Sequence, residues 1–327
     1  MIQSEIKKDH IIGIALDSIE YNELHDAYRL YEYIKERLIN DGSYNYIILD
    51  EIQLVNGFES LINSLLRIDF VDIYITGSNS KFLSSDIITE FRGRGDEIRV
   101  RPLSFSEFLE GYEGDRYNAL NEYMTYGGLP EILNMKDDES KSAYLKNIMD
   151  AVYLLDIKER NDIRMPYALD NIVNVLSSSI GSLVNATKLK NTMISSSYKA
   201  IDEATVVRYV GFLEDSFLFE KSRRYDVKGR KYINSTEKYY SADGLVNCRL
   251  EFRQLDDRPH IMENIIYNEL RSRGFSMDVG SISCREPDGS KTLEVDFVTK
   301  KATECITFNP HTACMTNQRL NRNLILF

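Results

Sequence analysis

Residues Tyr46 to Gln53 read Tyr-Ile-Ile-Leu-Asp-Glu-Ile-Gln, four bulky residues running straight into two adjacent carboxylates. An apolar run of this length ending in acids is the pattern of a parallel strand covered on both faces, with Asp50 and Glu51 delivered to its carboxyl end. Such a strand demands neighbours. In nucleotide-hydrolysing sheets, acids so placed divide two tasks: the first holds Mg²⁺, directly or through water, and the second polarises the attacking water. The same string also fits a core strand followed by an acidic helix start, so the flanking residues decide between them.

The flanks supply the neighbours. His10 to Leu16 is a short apolar run expected as a buried strand, and Leu24 to Leu38 carries Tyr28, Leu30, Tyr31, Ile34 and Leu38 at helical spacing. Asn40, Asp41 and Gly42 break that helix. A second helix is expected over Phe58 to Ile68, then a strand from Val71 to Thr76 leading into Gly77, Ser78, Asn79 and Ser80. Strands alternating with helices predict a parallel sheet whose carboxyl edge gathers Asp50, Glu51 and Asn79. There Asn79 would sense the γ-phosphate, although a strand ending in Thr-Gly-Ser-Asn also serves as a plain turn. Glu97 to Val100 reads as a further strand, followed by Pro102 to Leu109.

Composition narrows the class. A chain of 327 residues, 43% hydrophobic and 28% charged, is long enough for two or three domains with cores of their own. With 51 acids against 40 bases the net charge is −11, so nucleic-acid contact would require a local basic patch. The sequence has neither a charged-then-apolar leader nor an apolar run near membrane-spanning length, which predicts a cytoplasmic protein without membrane contact. Cys248, Cys284, Cys305 and Cys314 lack C-x-x-C spacing and read as reduced thiols, a metal site at Cys305, His311 and Cys314 being the lesser alternative.

The ordered segments YIILDEIQ, IYITGSNS, FRGRGDEIRV, PLSFSEFL and YGGLPE, continued by YYSADGLVN, ENIIYNELRSRG and EVDFV, resemble a prokaryotic family of AAA-type ATP-binding proteins with a C-terminal domain of unknown function. The resemblance covers roughly residues 10 to 300 and implies an α/β architecture. It places a P-loop/AAA-type parallel sheet in 1–112, a helical and winged-helix region in 113–250, and a partial restriction-endonuclease-like domain in 251–327. It further implies ATP and Mg²⁺ as cofactors and assembly with neighbouring subunits, a homo-oligomer. By the same resemblance Asp50 and Glu51 correspond to Walker B and Asn79 to sensor 1. Arg92 or Arg94 corresponds to an arginine near the nucleotide or a neighbouring subunit, where a planar guanidinium meets developing phosphate charge.

One part of that machinery is missing. The cradle G-x-x-x-x-G-K-[ST] supplies backbone N–H groups and a lysine to the phosphates, yet no Gly-Lys dipeptide occurs in the chain. Met1 lies nine residues before His10, where the family carries cradle, preceding strand and following helix, so the expectation is a truncated ATPase domain. In the implied strand order the missing strand lies between Ile73–Thr76 and Glu97–Val100, leaving two inner edges and an apolar surface uncovered. Weak or absent ATP binding and a poorly stable N-terminal domain are expected.

Beyond residue 112, Gly127-Gly128-Leu129-Pro130 reads as a turn and Lys141 to Leu155 as an amphipathic helix. Tyr167 to Tyr240 reads as helix, turn, short helix and a longer helix over Asp202 to Leu218. Lys221, Arg223, Arg224, Lys228, Arg230 and Lys231 then flank a turn at Gly229. This is a winged helix-turn-helix outline with a basic wing suited to DNA phosphates, or equally a protein-interaction module with a solvated hairpin. Glu263 on a predicted helix and Asp296 on a predicted strand match two acids of PD-(D/E)XK nucleases. No E-x-K follows, which favours a helix cap and a strand-end acid. After Lys301 the family pattern stops and no strand is expected to pair with Glu294–Val298. Regrouped codons for Cys305 to Met315 permit Tyr-Tyr-Ile-Gln-Ser-Ala-Tyr-Ser-Met, so a shifted reading frame is expected to have replaced the native tail.

Overall fold

The computed structural model describes residues 6–77, 94–195, 201–242, 244, 247, 258–286, 289–301 and 304–308. The chain divides into two compact units, Met1–Arg99 and Val100–Phe327.

In the first unit strands and helices alternate: β1 (Ile11–Ala15), α1 (Ala27–Lys35), β2 (Asn45–Asp50), α2 (Phe58–Leu65) and β3 (Val71–Ile75). The strands form a parallel sheet in the order β1-β2-β3, as the strand–helix alternation requires. Ala15 lies beside Asp50, and Leu49 beside Ile75, so the carboxyl ends of all three strands meet at one edge. Asp26 caps α1 by accepting from the backbone N–H groups of Tyr28 and Arg29, which sets the helix start later than Leu24. A 3₁₀ segment, Ile19–His25, fills the interval.

Ile12, Ile14, Ile47 and Leu49 from the sheet pack with Leu30, Ile34, Phe58, Leu61 and Leu65 from the two helices. Burial of each such side chain stabilises the unit by about 1.5–3 kcal/mol. β2 is not covered equally on its two faces. Ile47 and Leu49 are fully buried, whereas Tyr46 and Ile48, which point the opposite way, are only half-buried. The expected strand over Glu97 to Val100 does not form; these residues take no regular structure, and Ile98 and Val100 are 78% and 89% exposed. The physical reason is pairing: a strand exists only against a partner, and among the described residues none lies alongside this segment.

The second unit begins with α3 (Phe105–Gly111), α4 (Arg116–Tyr126) and α5 (Asp138–Asn147). Ser104 opens α3 with a capping box, its side chain and that of Glu107 each serving the other's backbone N–H. After α5 the chain runs through a π-helical stretch, Ile148–Leu154, into α6 (Leu155–Arg160). The wider turn explains how Met149 and Leu154, five residues apart, both reach the core.

Next come α7 (Pro166–Ser177), β4 (Leu183–Val184), α8 (Ala186–Ser195), α9 (Glu203–Asp215), β5 (Phe219–Asp226) and β6 (Lys231–Ser241). They are followed by α10 (Arg258–Ser272), β7 (Ser276–Glu286), β8 (Gly289–Lys301) and β9 (Glu304–Phe308). Six strands make one sheet in the order β4-β6-β5-β7-β8-β9, so residues on both sides of position 250 share it. Every pairing is antiparallel except that of β5 with β7.

The expectation that no strand follows Lys301 is overturned: β9 pairs with β8, placing Phe308 beside Phe297. Edge pairing draws on backbone groups, and Cys-Ile-Thr-Phe is rich enough in β-branched and aromatic residues to supply them in extended form.

Candidate functional site

At the carboxyl edge of the first unit, Asp50 is the last residue of β2 and is exposed. The chain turns immediately after it, because Glu51 takes the left-handed conformation at φ 54°. Thr76, just past β3, ties the turn together. Its hydroxyl donates to Asp50 Oδ1, the backbone N–H of Glu51 donates to Thr76 Oγ1 at 3.3 Å, and Ile52 N–H donates to the Thr76 carbonyl at 3.1 Å. Gln53 Nε2 donates to Glu51 Oε2, so each acid has a partner that orients it. From the β1 side, Leu16 N–H donates to the Asp50 carbonyl at 3.1 Å.

The edge thus gathers Asp50 and Glu51 at the end of β2, tied to Thr76 at the end of β3. Asn79 and Arg92 lie outside the described residues. Arg94 donates to Asn63 Oδ1 on α2 at 3.3 Å, so that hydrogen bond goes to the helix rather than the strand ends. Sequence reasoning gave no role to Thr76 or Gln53. In the sequence Thr76 reads only as the end of a strand running into a turn, and its place beside Leu49 and Asp50 emerges only once β3 has paired with β2.

A second constellation lies in the second unit. Glu263 is in the interior of α10 and Asp296 in the interior of β8, so neither is a helix cap or a strand-end acid. Their partner is Lys238 on β6. Its Nζ lies 3.0 Å from Glu263 Oε1, 2.8 Å from Glu294 Oε1 and 3.2 Å from Asp296 Oδ1. Tyr240 donates to Glu263 Oε1 at 2.7 Å and stacks on Tyr267 at 4.0 Å between ring centroids.

Burial raises the Glu263 carboxyl above the usual range, opposed by the Lys238 ammonium and the Tyr240 hydroxyl. For Lys238, burial pulls downward, but the three carboxylates outweigh it and hold the ammonium above its ordinary value. Burial, reinforced by Glu263, pushes the Tyr240 phenol well upward. Sequence reasoning missed this lysine because it looked for one just beyond Asp296, whereas it arrives from a strand 58 residues earlier.

A third feature is the hairpin of β5 and β6. Asp226 Oδ1 accepts from the backbone N–H groups of Lys228 and Gly229, closing its tip. Lys228, Arg230 and Lys231 are exposed there. Arg223 lies over the Tyr232 ring at 4.0 Å, while Arg224 donates to Ser281 Oγ at 3.3 Å.

Comparison with known proteins bears on these features. Residues 1–109 match the family model described as an AAA domain, and residues 117–256 match one described as a domain of unknown function, DUF8612. An "Uncharacterized protein" of Haemophilus influenzae is 33% identical over 310 residues, spanning 93% of this chain and 75% of the relative. "Uncharacterized protein MJ1544" of Methanocaldococcus jannaschii is 30% identical over 309 residues, spanning 91% of this chain and 65% of the relative. The structure of Aeropyrum pernix ORC1 in complex with DNA is similar over 75% of this chain and 78% of that one, at 13% identity. Its TM-score of 0.27 carries no argument about fold or function.

The first unit is an AAA domain with a mixed α/β fold and a parallel sheet. The chain belongs to the prokaryotic family of AAA-type ATP-binding proteins that carry a further domain of unknown function. Among the described residues, no helix is long and apolar enough to cross a membrane.

Proposed function

We propose that the first unit is the acid half of an ATP-hydrolysing site of the Walker B type. Support comes from one observation above all: Asp50 and Glu51 stand at the carboxyl edge of a parallel sheet inside a matched AAA domain. The exposed Asp50 carboxylate and Thr76 hydroxyl are hard oxygen donors of the kind Mg²⁺ takes, so the residues fit that ion. When bound, Mg²⁺ would neutralise phosphate charge. Asp50 would hold it, directly or through water, with Thr76 orienting the carboxylate. Glu51, fixed by the turn and by Gln53, would polarise the attacking water. Asn79 is proposed as the sensor of the γ-phosphate, and Arg92 or Arg94 as the arginine facing the nucleotide or a neighbouring subunit.

These 327 residues contain no phosphate cradle, so the chain by itself is a poor ATP binder, whatever the activity of its family. Isothermal titration with ATP and Mg²⁺ is expected to give no saturable binding up to about 1 mM, equivalent to less than about 4 kcal/mol of affinity. Tight binding would overturn this part of the proposal. A chain extended at its start by a strand–cradle–helix segment should hydrolyse ATP and lose that activity on Asp50→Asn or Glu51→Gln. Unchanged hydrolysis in both variants would remove the roles assigned to them.

A second, binding function is proposed on the order α7, β4, α8, α9, β5, β6 with β4 pairing to β6, an order that supports reading this region as a winged helix. DNA is the partner proposed for its basic hairpin. The exposed face of α9 carries Glu203, Ala204, Val207, Arg208 and Asp215, two acids against a single base, and offers little to a groove lined with phosphates. Contact would therefore run through Arg223, Lys228, Arg230 and Lys231. Fluorescence anisotropy should show duplex binding that weakens with salt. In a Lys228→Gln, Arg230→Gln, Lys231→Gln variant, the slope of log affinity against log salt should fall by about 0.9 per lost phosphate contact, roughly 3 in all. An unaltered slope would leave the fold serving protein interaction instead. A nuclease-like outline is proposed for β7, β8, β9 and α10, cytoplasmic residence fits the composition, and a homo-oligomer fits the AAA family.

A further inference from the structure

Lys238 and its three carboxylates, the buried Glu263 and Asp296 and the 34% exposed Glu294, take no part in either function above. An ammonium carries three protons, and Lys238 Nζ has one carboxylate within 3.2 Å for each of them. The side chains of Lys238 and Glu263 are each 1% exposed, so neither can swing into solvent without opening the unit. The far side is walled by backbone: Gly181, at φ 70°, approaches so closely that a Cβ there would stand 2.7 Å from Glu263 Oε2.

We propose that Lys238 is the resident cation of this carboxylate cage, occupying the point on which Glu263, Glu294 and Asp296 would otherwise converge around a divalent metal. A hard divalent ion needs its oxygens at about 2.0–2.6 Å. Any ion touching both Glu263 and Asp296 would sit against the ammonium, and at interior dielectric those charges repel strongly. The lysine therefore closes the cage. Among the described residues, no group of three or more His, Cys, Asp or Glu side chains is arranged to hold a metal. Among the described residues Asp296 Oδ2 is buried without a hydrogen-bond partner, an acceptor left over that a metal would use if the lysine were gone.

Mn²⁺ binding to the full chain, followed by electron paramagnetic resonance and by the thermal midpoint, tests this. The native chain should bind Mn²⁺ no better than Asp296→Asn. Lys238→Met should gain at least about tenfold in Mn²⁺ affinity, since removing one positive charge from an oxygen site shifts affinity on that scale. That gain should vanish in Lys238→Met with Asp296→Asn. Mn²⁺ uptake by the native chain that Asp296→Asn abolishes would overturn the proposal, because the lysine would then not exclude metal. A folded Lys238→Met chain indifferent to Mn²⁺ would overturn it as well. If that variant does not fold, recovery of its fold on adding Mn²⁺ supports the cage. Without recovery, the comparison of Mn²⁺ uptake by the native chain and by Asp296→Asn decides: equal uptake supports the lysine as occupant, and uptake lost in the variant overturns it.

Discussion

Alanine in place of Gly128 is expected to destabilise the second unit by about 3–5 kcal/mol. A Cβ at that position would stand 2.1 Å from the Leu103 carbonyl oxygen and 3.1 Å from Tyr123 Cε2. The obstacle is backbone, so no rotamer change relieves it. The same carbonyl accepts from Tyr123 Oη at 2.8 Å, and Leu103 N–H donates to the Gly128 carbonyl at 2.8 Å. Moving the two segments of chain apart therefore strains two hydrogen bonds, each worth about 1 kcal/mol, beyond an overpacking cost of about 1–3 kcal/mol. Guanidinium denaturation should show a lower midpoint. Gly211→Ala is the control: it lies in α9 with nothing within 4 Å of its added Cβ. There alanine should stabilise by about 0.5–1 kcal/mol through helix propensity. Equal effects at the two positions would mean that the approach to Leu103 is not what requires glycine.

The same neighbourhood shows what could be read before the fold was known. YGGLPE and YYSADGLVN were legible as ordered signatures but not as partners. In the structure a Cβ on Gly244 would stand 2.6 Å from Gly127 Cα, and Asn247 Nδ2 donates to the Met124 carbonyl at 2.8 Å. Two glycines are needed because two backbones touch, and only the fold brings them together. β1, β2, β3 and the helices between them were legible because hydrophobic periodicity is local. Glu97–Val100 misled for the opposite reason, since its apolar residues resemble a strand while strand formation depends on a partner. Residues 304–308 misled in the other direction: an edge strand draws on backbone pairing that composition conceals. Asp50 and Glu51 were visible as a pair, whereas Thr76, which positions both, was hidden in a sequence that also fits a turn.

Lys238→Met is expected to cost about 3–5 kcal/mol, the usual penalty for removing one partner from a buried ion pair. Methionine keeps most of the volume on an unbranched, flexible side chain, so the loss measures charge more than packing. What remains is Glu263, Glu294 and Asp296 facing one another, with Tyr240 the donor still serving Glu263. Glu263→Gln in the same chain should restore part of the stability, because it removes one of the uncompensated carboxylates. A coupling of about 0.5–3 kcal/mol between the two substitutions is expected for groups in contact.

The pH dependence has a definite sign. Burial already raises the Glu263 carboxyl, and Lys238 is the first influence opposing that rise. Without the lysine the carboxyl rises further. A carboxyl raised on folding contributes stability fully present below its unfolded value and lost as pH climbs through its folded one. The deficit of Lys238→Met relative to the native chain should therefore be smaller near pH 5 than near pH 8, as followed by chemical denaturation at each. Equal deficits at both would mean that the lysine acts through packing and that the carboxylates do not depend on its charge.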